Sequence, residues 1–173
     1  MKRITGIIAL IVFAAFFGQS VFSQNLKFGH INRAELIQAM PEYDSALVTL
    51  EKLNTDLQNT MELLQVELNN KYETYLKESK NLTDLVRQTK EAELNDSQRR
   101  LTEFQTNAQN TMQEKQVELF TPITQKADKA IKDVGKEAGM VYIFDTSIGS
   151  ITYFDETKST NVLPLVKTKL GIK

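Results

Sequence analysis

Cysteine and tryptophan are absent from the 173 residues, and histidine occurs once, at His30. Without thiols there is no disulfide framework, no thiol nucleophile and no cysteine-anchored lipidation, and one imidazole leaves little for zinc or haem. Glycine and proline are scarce too, at seven and three. No glycine lies between Gly29 and Gly135, and the prolines are Pro41, Pro122 and Pro164. Positions 42–121 are therefore 80 consecutive residues without either helix breaker, far beyond an ordinary globular helix. No nucleophile–base pair or phosphate loop can be assembled, so neither an enzyme nor a cofactor or metal site is expected.

What is present begins with a sorting signal. Lys2 and Arg3 precede an apolar stretch from Ile4 to Phe17, and small residues follow at Val21 and Ser23. This order predicts a secretory signal peptide over 1–23, cleaved after Ser23, and places the mature chain outside the cytoplasm. An uncleaved anchor is the alternative, but the apolar core is too short to span comfortably. Charge is unevenly spread. Residues 42–121 hold nine basic and fifteen acidic side chains, whereas 122–173 hold eight and six. The acidic middle argues against nucleic acid as a partner.

Leu26–Ile31 reads as a short strand, and Asn32 with Glu35 three residues on is a capping-box pattern for a short helix ending near Ala39. Pro41 suits the first position of a new helix, with Glu42 and Asp44 in its first turn. Apolar residues then recur at Leu53, Leu57, Met61, Leu64, Leu68, Tyr72 and Tyr75, a rhythm close to eleven residues per three turns. The rhythm lapses around 77–84. A second narrow stripe runs through Leu94, Leu101, Phe104, Ala108, Met112 and Leu119. One uninterrupted helix would satisfy this; a helical hairpin over 42–121 with its tip near 77–84 does so better, because two balanced arms bury both stripes within one chain. Pro122 is read as restarting a helix with Ile123, Ala127, Ala130, Ile131 and Val134 inward. Met140–Phe144 and Ser150–Phe154 read as two strands around a turn, and Asn161 as the cap of a last helix with Pro164 at its third position.

The expected fold class is thus α+β, predominantly α. A long antiparallel coiled-coil helical hairpin projects from a small body built of 24–41 and 122–173. Three short strands have open edges and little core of their own, so the body is expected to self-associate.

The signal peptide, the strand ending in Ile31-Asn32, the unbroken helical middle and the close Val141-Tyr142-Ile143-Phe144-Asp145…Ile151-Thr152-Tyr153 together resemble the Skp/OmpH family of periplasmic chaperones. The resemblance covers essentially the whole mature chain and rests on the order of elements more than on any one motif. It implies a jellyfish-like homotrimer whose bodies join their strands and whose arms enclose a cavity. Unfolded outer-membrane β-barrel proteins would be held there without ATP. On this reading Leu26, Phe28, Ile31, Val141, Ile143, Ile151 and Tyr153 build the trimerisation body. The arm seam is Leu53, Leu57, Met61, Leu64, Leu68, Tyr72, Leu101, Phe104 and Met112. Val48, Leu63, Val66 and Val117, which helical spacing turns away from the seams, are the candidate client-facing residues. Members with basic arms suit lipopolysaccharide and anionic membranes; here the acidic arms argue against that partner, and client binding is expected to survive moderate salt.

Other readings remain. A passive coiled coil linking envelope layers would share the helical pattern, and an export-pump adaptor also uses a helical hairpin but needs β-domains larger than 24–41 can supply. His30 has no clustered ligands, Tyr72 and Tyr75 suit seam packing better than a stacking platform, and Glu91/Glu93 and Asp155/Glu156 lack calcium-loop spacing.

Overall fold

The computed structural model describes residues 26–172, so the expected signal peptide lies outside the described residues. The chain is mostly helix with one small sheet. β1 (Lys27–Ile31) is followed by α1 (Arg33–Gln38), α2 (Pro41–Glu78), a 3₁₀ turn (Ser79–Asn81) and α3 (Asp84–Glu137). β2 (Met140–Asp145), β3 (Ser159–Asn161) and α4 (Leu163–Leu170) complete it.

Local chemistry sets most boundaries. Asn32 is the N-cap of α1, its side chain accepting from the Glu35 N–H at 3.1 Å. Pro41 opens α2 at a position where its missing N–H costs nothing, and α2 then runs for 38 residues. Thr83 holds the N-cap position of the 54-residue α3. Gly139, at φ +63°, turns the chain out of α3 into β2, a conformation disfavoured for other residues.

Pro122 departs from expectation. It does not restart a helix; α3 runs through it without interruption. An interior proline costs about 3 kcal/mol. Tertiary burial of the following turns at Ile123, Ala127, Ala130 and Val134 offsets it. Start positions at the C-terminal helix also shift by one: Val162 is the N-cap, while Asn161 Oδ1 accepts from the Leu163 N–H at 3.0 Å.

The sheet corrects a larger expectation. All three strands are parallel, in the order β2-β1-β3, with Phe28 beside Tyr142 and Ser159. Residues 150–154 form no strand, and Ile151 and Tyr153 lie in the loop between β2 and β3. Tyr153 is 83% exposed, and Phe154 packs its ring 4.6 Å from that of His30. Asp145 marks the end of β2. Its carboxylate accepts from the Ser147 N–H and hydroxyl at 2.8 and 2.6 Å, closing a tight Asx turn.

One face of the sheet packs on α3. Ile31, Leu36, Met40, Val134, Val162 and Val166 belong to the core there. The approach is close: a Cβ at Gly29 would lie 2.7 Å from Met140 Sδ, and one at Gly135 would lie 3.0 Å from Ile143 Cδ1. Gly29 leaves room for its neighbours Met140, Ile143 and Val162, and Gly135 lets the helix meet Ile143 of β2.

Candidate functional site

Among the described residues no group of three His, Cys, Asp or Glu side chains converges as metal ligands, and no helix is long and apolar enough to cross a membrane. The features with functional content are surfaces. They lie on the uncovered face of the sheet and along α2 and α3.

On the sheet, the face away from α3 presents aromatic rings. Phe28 and Tyr142 stack at 6.3 Å, and Tyr142 and Phe144 follow at 5.9 Å. Tyr142 and Phe144 are exposed, as is Val141, and both outer strands have an unpaired edge. Of the body residues expected from sequence, Ile31 is buried in the chain's own core, and Phe28, Ile143 and Ile151 are half-buried. Leu26 and Tyr153 are exposed. Beside β2, an open cavity of about 410 Å³ is bordered by Arg33, Asp128 and Asp145. Arg33 donates to Asp128 at 2.7 and 3.1 Å, which raises the guanidinium pKa. Burial pushes the Asp145 carboxyl up, but bonds from Ser147 and the Arg33 N–H outweigh it and hold it below the usual range.

α2 and α3 lie side by side in opposite directions. Glu42 pairs with Lys126 nearest the body. Further out, Glu67 meets Arg100 at 3.0 Å and Lys71 donates to Ser97 at 3.0 Å. Nearest the turn, the Tyr75 hydroxyl donates to Glu91 at 2.5 Å. Lys126 lowers the Glu42 pKa, and Lys71 and Arg100 lower that of Glu67. The seam between them is thin. Leu101 is buried, with 4% exposure; Leu53, Leu57, Leu64, Leu68, Phe104 and Met112 are half-buried, and Met61 and Tyr72 are exposed. Val48, Leu63, Val66 and Val117 are all exposed. Spacing puts the first three on the back of α2 and Val117 on the back of α3, so they do not form one surface.

The two sides of the seam differ chemically. One carries the ion pairs Glu42–Lys126 and Glu67–Lys71–Arg100. Grooves on that side are lined by Glu42 and Lys126 and by Lys71, Lys90 and Glu93, whereas the other side carries two open grooves with a single charge. The first, about 730 Å³, combines Leu57, Met61, Ala108 and Met112 with the carboxamides of Asn54, Gln58, Gln105, Gln109, Gln113 and Gln116. The second, about 570 Å³, combines Leu68, Tyr72 and Leu94 with Gln65, Asn69, Asn95 and Gln98, and Glu91 is the single charge in either lining. The apolar members are seam residues expected from sequence; the carboxamides were missed, although a signal exists. Asn54, Gln58, Gln65 and Asn69 repeat the seam's spacing one flank away from it.

Compared with known proteins, residues 27–170 match the model of a family described as outer membrane protein (OmpH-like). No curated protein matches the chain significantly.

Proposed function

The chain belongs to the OmpH-like family, and from that premise we propose that it is a periplasmic holdase that keeps unfolded outer-membrane β-barrel proteins soluble without ATP. The family match over 27–170, essentially all of the described chain, carries the reading. In it, α2 and most of α3 are a hairpin arm, and 24–41 with 122–173 are the body, exported behind a signal peptide at 1–23. Three bodies associate through their sheets, and three arms enclose the client. The unpaired strand edges and the exposed rings of Tyr142 and Phe144 support self-association, since a lone three-stranded sheet leaves them to water. The acidic balance of 42–121 supports protein clients over lipopolysaccharide.

The test is dilution of a urea-unfolded outer-membrane barrel protein into buffer with and without the purified mature chain. Suppressed aggregation without nucleotide is expected. Unchanged aggregation at several-fold excess would leave a passive structural coiled coil as the better account.

A further inference from the structure

In a chain with 25% charged residues, a long exposed surface is expected to carry several charges. The grooved side of the α2–α3 pair does not. Of its 18 lining residues ten are Asn or Gln, seven are apolar and only Glu91 is charged. The opposite side has the ion pairs.

We propose that this carboxamide side is the wall that contacts the client, and that it recognises extended, unpaired polypeptide backbone instead of client charge. The inference rests on the reading of the arms as holders of unfolded barrel proteins and names the surface and chemistry they use. Asn and Gln carry a neutral primary amide, which donates through N–H and accepts through C=O as a peptide group does. An unpaired extended strand offers N–H and C=O groups along both edges, and in water-exposed grooves carboxamides meet them in either register. Apolar side chains of a barrel strand alternate along the chain, and Leu57, Met61 and Met112 supply apolar contacts between the amides. Length agrees as well. Asn54 to Tyr72 covers about 27 Å of helix, room for about eight extended residues, close to the ~9–11 of one membrane-spanning strand. With Glu91 as its single charge, the wall repels few clients by sign and its contacts are little screened by salt. Each contact is weak and exchangeable, so many can hold a chain without fixing its shape.

The experiment uses the mature chain and a fluorescently labelled, urea-unfolded outer-membrane barrel protein, with affinity read by anisotropy at low and high salt. Gln58→Glu with Gln109→Glu places two charges on the carboxamide side. Thr60→Glu with Thr111→Glu places the same two on the ion-pair side, where helical spacing groups them with Glu67 and Arg100. All four positions are exposed, and circular dichroism with light scattering checks that both variants keep their helix and assembly. The first pair should weaken binding about tenfold or more, since each loses a neutral donor. The second should change it less than about twofold, and wild-type affinity should move little with salt. A photo-cross-linker at position 109 should capture client. Equal effects from both pairs, or capture of a second copy of the chain in place of client, would overturn the inference while leaving the holdase reading standing. A wild type that binds no client would remove both.

Discussion

Leu101 is a large apolar side chain buried between the long helices outside the main core cluster, and Leu101→Ala isolates what the seam contributes. The Glu67–Arg100 pair places it opposite Leu64–Leu68. Truncation removes three carbons at roughly 0.8 kcal/mol each, about 2–3 kcal/mol. That is the low end for a buried leucine, because the flanking seam residues are half-exposed and can close around the gap. The loss is local, since the body core around Ile31, Val134 and Val166 shares no packing with this site. Hydrogen exchange resolved by residue is the assay. Amides of α2 beyond about residue 55 and of the first half of α3 should exchange roughly 30–150-fold faster, converting 2–3 kcal/mol at tenfold per 1.4. Amides of β1 and of α3 beyond Ile123 should not change. Acceleration spread evenly over arm and body would refute the reasoning, because the two would then open as one unit.

Two further outcomes are expected. If the sheet mediates the proposed self-association, Phe144→Asp, which puts a charge on its exposed aromatic face without touching the α3-facing core, should give a smaller species by light scattering with unchanged helix content; an unaltered mass would contradict association through this face. Glu42 and Asp145 both have depressed carboxyl pKa values in the fold, so their stabilisation is full above the unfolded carboxyl pKa of about 4 and is lost as pH falls through the folded values. The melting temperature should therefore be flat from pH 8 to about 5 and decline below about 4, and a rise on acidification would contradict the assignment.

How much of this could be read from sequence depended on how local each cause was. The starts of α1 and α2 were legible at Asn32 and Pro41, because capping is settled within four residues. Pro122 misled because its own preference is local while the burial that overrides it, at Ile123 and Ala127, comes from strands and helices distant in the chain. Ile151 and Tyr153 misled for a related reason. Their alternation fits a strand, but β1 already has both neighbours, and Ser159–Asn161, polar throughout, takes the second edge. The carboxamide grooves escaped notice because a search for function through apolar and charged residues passes over neutral polar ones; only the pairing of α2 with α3 gathers them.

The central place of β1 sets an order of assembly. Its neighbours are 113 positions downstream at Met140 and later still at Ser159–Asn161, so the first strand made waits for the last. Pairing of α2 with α3 through Glu42 and Lys126 shortens that wait, cutting the span to be closed between Lys27 and Met140 from 113 residues to about 29. Loop-closure entropy grows with the logarithm of length, so the zipped helices spare about 1 kcal/mol when the sheet closes. The arm is then also the splint on which the body is completed. A chain emerging N-terminus first has its long helices available before it has any sheet.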